Sequence, residues 1–165
     1  MGVPSSERRE SSQARAKMPP IYPPQLSGTK AQQYMHRARM FREAAVTLPD
    51  YRNGEPFWPK YALITHAIEL SLKAFAAHSI DQGKPPPAKE PKQHDLIGWY
   101  RLAVDFGLSD EPNIADSIAA LNEIHFGHFT RYLQHPAKPL PDASVIADTV
   151  VDHFIFTFTQ VINPR

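Results

Sequence analysis

Two histidine-containing pairs have the residue types and the spacing of metal-ligand pairs on a helix. His66 and Glu69 are three residues apart, as are His125 and His128, so each pair shares one face if its segment is helical. Di-metal carboxylate bundles use Glu-x-x-His pairs on two helices together with a glutamate from each of two others. Here Glu69 follows its histidine and the second pair contains no glutamate, so this pattern is incomplete. The sequence therefore predicts a structural polar cluster of His66, His125 and His128, with neither a metal nor a cofactor.

Glu69 needs its own interpretation, because an unpaired carboxylate in an apolar segment is costly. In one placement it lies on the least covered face of its helix beside Lys73, as an i, i+4 pair in the favourable orientation. In the other it is buried against a partner such as Arg131 or a histidine. The sequence favours the surface pair and leaves the buried polar site as the alternative.

The composition excludes several other kinds of chemistry. The 165 residues include no cysteine, so a disulfide framework and a thiolate metal site are both excluded. The seven glycines are scattered and form neither a phosphate-binding loop nor a Gly-x-Ser-x-Gly nucleophile turn. The formal net charge of +1 at pH 7 argues against a strongly electrostatic nucleic-acid binder.

The sequence also carries information about the cellular location of the chain. The N-terminal residues are rich in Ser and Arg and lack the apolar core of a secretory signal. No apolar run reaches the roughly 20 residues that a membrane span needs. We therefore expect a cytoplasmic protein without membrane contact.

Residues 61–77 (YALITHAIELSLKAFAA) form the stretch that must position His66 and Glu69. It contains neither Pro nor Gly, and its apolar residues recur at spacings of three and four along several sides. A helix that is apolar on several sides must be buried on several sides. The pattern predicts the central helix of a bundle, from about residue 58 to residue 80.

Capping and stop signals predict four further helices around the central one. The first begins at Thr29, whose spacing to Gln32 has the form of a capping box, and Pro49 stops it. Asn53 and Gly54 mark a turn in the connector that follows. The remaining cap candidates are His94 or Asp95, Ser109 or Asp110, and Asp142.

The two ends of the chain differ in pattern. Residues 1–28 are polar and proline-rich without periodicity, which predicts a disordered or extended tail ahead of one domain at residues 29–165. In the last segment, Phe154, Phe156 and Phe158 alternate as in a strand, while the wider apolar spacing suits a helix. Its length and its capped start favour the helix.

Three arginines, Arg37, Arg39 and Arg42, lie on the side of the first predicted helix opposite its apolar face. A solvated helix face is the ordinary interpretation. The alternative is a phosphate-binding strip for nucleic acid, whose affinity would fall with salt.

Four short motifs occur in order along the chain: AIELSLKAF at 67–75, HDL at 94–96, a helix end at 107–108, and LNEIH at 121–125. Together they resemble the HEPN (higher eukaryotes and prokaryotes nucleotide-binding) superfamily over roughly residues 58–133. The resemblance implies an antiparallel helical bundle that often dimerises. Many members are ribonucleases of toxin–antitoxin, phage-defence or RNA-processing systems, and others are non-catalytic partners of nucleotidyltransferases.

Active members of that superfamily carry an Arg followed after about four to six residues by a His, and the pair cuts RNA across a dimer interface without metal. In such chemistry the His acts as acid or base toward the ribose 2′-OH and the Arg stabilises the phosphorane charge. The nearest pair here is Arg131 and His135, which is one residue short, and Pro136 disfavours helical geometry at the His. The resemblance thus carries over Glu69, at the acidic position of the central helix, but not the catalytic pair.

We therefore predict an all-α, antiparallel up-and-down bundle of about five helices that forms a homodimer, with the aromatic C-terminal helix as a candidate contact surface. The predicted function is that of a non-catalytic or degenerate HEPN-like protein in a defence or toxin–antitoxin setting. It would bind RNA, a nucleotide, or a protein partner such as a nucleotidyltransferase or an antitoxin. One alternative is a divergent metal-independent ribonuclease that uses Arg131 and His135, helped by Glu69, His125 or His128. Another is a pure oligomerisation scaffold.

Overall fold

The helical class predicted from the sequence is confirmed. The computed structural model of the chain describes residues 27–126 and 140–162. Within these ranges the chain forms five helices and one short hairpin. The elements are α1 (Lys30–Val46), β1 (Tyr51–Arg52), β2 (Glu55–Pro56), α2 (Trp58–Asp81), α3 (Leu96–Asp105), α4 (Pro112–Phe126) and α5 (Ala143–Ile162).

Helix α2 is the centre of the bundle, as its sequence predicts, and it contacts all four other helices. Its apolar residues are buried on several sides, with Ile64, Ile68 and Leu72 fully inaccessible to solvent. Because no face of α2 is free of neighbours over its middle turns, a polar residue at mid-helix must find its partners inside the protein. Glu69, Ser71 and Thr65 are the buried polar residues there.

Three of the four predicted capping signals form helix caps. Thr29 and Gln32 make the predicted reciprocal capping box of α1. Asp95 caps α3, and Asp142 caps α5 by accepting from the backbone N–H groups of Ser144 and Val145. Helix α4 begins at Pro112, which needs no N–H partner in the first turn. The predicted cap at Ser109 or Asp110 was wrong, because both precede the helix by more than one residue and Asp110 accepts from the Tyr100 hydroxyl instead.

The connector between α1 and α2 contains a hairpin that was predicted only as a turn. Tyr51 pairs with Pro56 and Arg52 with Glu55. Asn53 and Gly54 take positive φ values of 56° and 82°, which suit the tight turn of a two-residue hairpin. The two strands are only two residues long each, so the hairpin changes neither the fold class nor the core.

Helix α5 is irregular in its second turn. Ala143–Ile146 and Asp152–Ile162 are α-helical, and Ala147–Val151 between them is π-helical. Phe154 and Phe158 are fully buried and stack on each other at 5.2 Å between ring centroids, whereas Phe156 is 69% exposed. The helical interpretation of this segment is thereby confirmed over the strand alternative.

The length and apolar composition of α5 also meet the criteria for a membrane span. Its mean hydropathy reaches 1.4 over the best window, of which 39% is buried inside the protein. A core helix of a globular bundle meets the same criteria, and Phe158 stacks on Phe75 of α2 at 4.7 Å. This finding by itself does not indicate a membrane protein, and the expected cytoplasmic location stays a prediction.

Candidate functional site

Glu69 lies in the middle of α2 with only 4% of its surface exposed. Its Oε1 atom accepts a hydrogen bond from Lys73 Nζ at 2.5 Å, and its Oε2 atom lies 2.8 Å from His125 Nε2 on α4. The Lys73 pair is present as expected, but the favoured surface placement of Glu69 was wrong. The alternative, a buried carboxylate with a histidine partner, is the arrangement found, because α3 and α4 cover this face of α2.

His94 brings a second imidazole to the same oxygen. Its Nδ1 atom lies 3.2 Å from Glu69 Oε2 and 3.2 Å from His125 Nε2. The residue stands just before the cap of α3 and has a φ of +66°, in the left-handed region that residues other than glycine seldom adopt. Sequence reasoning considered His94 only as a cap and missed this role, since its position depends on the path of the loop between α2 and α3.

His66, one turn before Glu69, completes the group. Its ring lies edge-on to the rings of His125 and His94, with centroid distances of 5.1 Å and 5.7 Å. We call the set of His66, Glu69, Lys73, His94 and His125 the polar centre. Of the predicted cluster, His66 and His125 are thus brought together, while His128 lies outside the described residues.

The electrostatics of the polar centre favour an ionised carboxylate. Burial alone raises the pKa of Glu69, but hydrogen bonds from His125 and Lys73 and the charge of Lys73 outweigh it and hold that pKa well below its usual range. Lys73 also lies over the ring of Trp99, with Nζ 5.0 Å from the centroid. The ammonium group therefore links the buried carboxylate to an aromatic side chain of α3.

Hydrogen bonds at the start of α3 position His94. Asn122 on α4 accepts with Oδ1 from the backbone N–H of Leu96 at 2.7 Å, which joins α4 to the beginning of α3. Asp95 accepts from the N–H of Gly98 at 2.9 Å. A Cβ on Gly98 would lie 2.5 Å from Asp95 Oδ2, so this capped turn leaves no room for a larger residue. These contacts fix the loop end that carries His94.

A groove of about 200 Å³ opens beside the polar centre, between α1, α2, α3 and the loop before α3. We call it the aromatic groove. Within it, Lys30 Nζ lies 5.8 Å from the centre of the Tyr34 ring, and Lys73 Nζ lies 5.0 Å from that of the Trp99 ring. Lys73 belongs to both the groove and the polar centre. Its polar and aromatic lining includes Lys30, Tyr34, Lys73, Glu90, Gln93 and Trp99.

The predicted arginine strip divides between two roles. Arg42 donates to Asp152 at 2.7 and 2.8 Å and to Asp148 at 2.7 Å, which attaches α1 to α5. Arg39 donates to Thr159 at 2.6 Å on the same helix. Arg37 is exposed. For all three arginines to bind phosphate, Arg39 and Arg42 would therefore have to break these hydrogen bonds.

The predicted catalytic pair, Arg131 and His135, lies outside the described residues, as does nearly all of the predicted N-terminal tail. Glu69, the third predicted catalytic residue, is at the polar centre.

Comparison with known proteins adds no relative: no family model matches the chain, and no curated protein or solved structure is significantly similar to it.

Proposed function

We propose that this chain is an HEPN-like, non-catalytic protein that binds single-stranded RNA or a nucleotide in the aromatic groove. The observation that carries this proposal is the pairing of an ammonium group with an aromatic ring twice in one groove, Lys30 with Tyr34 and Lys73 with Trp99. Nucleotides offer a flat base and an anionic phosphate, and aromatic rings combined with lysines recognise both. The half-buried Tyr34 is the ring that can stack on a base, whereas Trp99 is buried beneath Lys73 and supports the position of that ammonium.

The polar atoms at the rim add a means of reading a base edge. Gln93 can donate and accept, and the Glu90 carboxylate can accept from an exocyclic amine. Lys73 is held on one side by Glu69, so its ammonium has a fixed position before the ligand arrives. Such preorganisation lowers the entropic cost of binding.

The modest net charge of the chain fits a local site better than a long electrostatic track. Lys73 is already paired with Glu69, so the exposed Lys30 is the groove ammonium that would neutralise a phosphate of a single strand. One such contact makes the logarithm of the affinity fall with the logarithm of salt concentration with a slope of about −0.7. Binding through an extended basic surface would give a much steeper dependence.

The test is a titration of the full chain with a labelled single-stranded RNA oligonucleotide in chelator at several salt concentrations. Tyr34→Leu removes a stacking surface and is expected to weaken binding about tenfold. Lys30→Gln is expected to reduce the magnitude of the salt slope by about 0.7. Arg101→Gln, which removes an exposed cation of α3 outside the groove, is the matched control and should leave both quantities unchanged.

The other outcomes distinguish the rival functions. Loss of binding in Arg37→Gln but not in Tyr34→Leu would transfer the ligand to the arginine strip and contradict the groove. Cleavage of the RNA that His135→Ala abolishes would identify the ribonuclease alternative. A protein that neither binds nor cleaves RNA would be left with the scaffold role.

A further inference from the structure

Four side chains of the polar centre place potential metal ligands around one point. Glu69 Oε2, His94 Nδ1 and His125 Nε2 form a triangle with sides of 2.8, 3.2 and 3.2 Å. A nitrogen of His66 joins them, and all four ligand atoms lie within 4.8 Å of one another. We infer that His66, Glu69, His94 and His125 bind a divalent transition-metal ion of the zinc class.

The dimensions of the triangle fit tetrahedral coordination. Bonds of about 2.0–2.1 Å in a tetrahedron place neighbouring ligand atoms about 3.3 Å apart. The observed sides are shorter than that by at most about half an ångström, so an ion about 1 Å above the plane of the triangle would reach all three atoms. The nitrogen of His66 lies within 4.8 Å of the other three ligand atoms, which makes it the candidate for the fourth position.

The donor set selects the kind of ion. Three imidazoles and one carboxylate suit Zn²⁺, and also Co²⁺, Ni²⁺ and Cu²⁺, whereas Mg²⁺ and Ca²⁺ prefer sites made of oxygen atoms. Lys73 binds Oε1 of Glu69 and leaves Oε2 toward the histidines, which favours a carboxylate that ligates through one oxygen. The ammonium group thereby serves as an outer-shell partner that orients the ligand.

The competing interpretation is a closed network of hydrogen bonds and ion pairs around Glu69. When both imidazoles donate to Glu69 Oε2, that network leaves two N–H groups 3.2 Å apart with no bond between them. When His94 instead donates to His125 Nε2, that nitrogen can no longer donate to Glu69, so no tautomer satisfies all three contacts. A shared ion accounts for that short nitrogen–nitrogen distance, because the ligand atoms of one ion must lie close together. It also gives a purpose to the left-handed backbone of His94, which brings Nδ1 into the triangle.

The test uses the full chain, freed of metal by chelator and then dialysed, and titrated with Zn²⁺ by calorimetry and with Co²⁺ by visible absorption. We expect one equivalent of each ion to bind, with the visible Co²⁺ absorption typical of tetrahedral coordination and a raised melting temperature. His94→Gly removes one ligand while suiting the positive φ at that position. It should weaken zinc binding about 100-fold or more, since outer-shell partners alone are worth 10- to 100-fold.

The same variant separates a ligand from a merely structural histidine. Without metal, His94→Gly should melt within about 5 °C of the wild type. His36→Ala, which removes an exposed histidine of α1, is the matched control and should bind zinc as the wild type does. Absence of stoichiometric zinc binding, or equal zinc affinity of the wild type and His94→Gly, would overturn the inference. Because RNA binding is measured in chelator, failure of either proposal leaves the other standing.

Discussion

Glu69 determines the stability of the polar centre because its two carboxylate oxygens divide their partners, Oε1 to Lys73 and Oε2 to the histidines. Replacing it by Gln, in Glu69→Gln, leaves the ammonium of Lys73 without its counter-ion in a largely buried place. Removing one partner of a buried ion pair costs about 3–5 kcal/mol, and the retained amide oxygen should limit the loss to about 3 kcal/mol. Urea unfolding of the metal-free protein measures this difference.

Glu43→Gln provides the control for that measurement, because Glu43 is exposed on α1 and its loss should change the free energy of unfolding by less than about 0.5 kcal/mol. Equal unfolding midpoints for Glu69→Gln and the wild type would contradict the assigned role of the carboxylate.

At the residue scale, sequence reasoning could find those members of the polar centre that share a helix. His66 and Glu69 are one turn apart, and His125 lies on the apolar stripe of α4, so helical spacing identifies them. His94 could not be found in this way, because its contact with Glu69 depends on the conformation of a loop. The i, i+4 pair of Glu69 and Lys73 has the same spacing on a covered face as on an open one, so spacing alone could not decide its burial.

At the scale of the elements, an ion pair ties the connector to α2 and α5. Lys60 in α2 is 5% exposed, and its Nζ atom lies 2.8 Å from Asp50 and 3.0 Å from Ser144 of α5. The hydrogen bonds from Lys60 and then Ser144 lower the pKa of Asp50. The pair therefore holds the beginning of α5 against the beginning of α2.

Asp50→Asn should destabilise the fold by about 2 kcal/mol at pH 7, less than for a fully buried pair because Asp50 is partly exposed. Since the pKa of Asp50 is lowered in the folded state, its stabilisation is complete above the unfolded carboxyl value of about 3.9 and is lost as pH falls further. Urea unfolding at pH 7 and pH 3 should therefore show a smaller difference between variant and wild type at pH 3. A difference that is the same at both pH values would contradict this pairing.

Element ends were predictable where a side chain caps its own helix. Thr29, Asp95 and Asp142 each satisfy backbone N–H groups within three residues, so the signal is local. The π-helical turn at Ala147–Val151 has no such local signal. It lies where Arg42 of α1 contacts Asp148 and Asp152, and tertiary contacts of that kind do not appear in the sequence pattern.

At the scale of the whole molecule, α5 is the candidate contact surface of the predicted homodimer. Phe156, Val145 and Val161 are 69%, 55% and 41% exposed on this helix. If α5 is the contact, Phe156→Glu should convert a dimer to a monomer, because a desolvated charge would oppose the interface. Analytical ultracentrifugation measures the mass.

The matched control is Ala119→Glu, which places the same charge on an exposed position of α4 and should leave the dimer intact. A monomeric wild type, or a dimer that survives Phe156→Glu, would contradict the α5 contact.

The bundle itself was predictable because α2 is apolar on several sides, and such a helix is stable only when others surround it. The groove was not predictable, since Lys30 and Tyr34 of α1 meet Lys73 and Trp99 only after three helices pack. The proposed binding site therefore depends on that packing more than on any single motif.

Fluorescence of Trp99 reports on RNA binding in the aromatic groove, because this side chain lines the groove and contacts Lys73. The chain has two tryptophans, so Trp58→Phe leaves Trp99 as the sole reporter. Titration of this variant with unlabelled single-stranded RNA in chelator should change its emission saturably, with an affinity that falls as salt rises. At RNA concentrations where anisotropy detects binding, an unchanged Trp99 emission would contradict binding in the aromatic groove. Absence of any detectable RNA binding would contradict the proposed function itself.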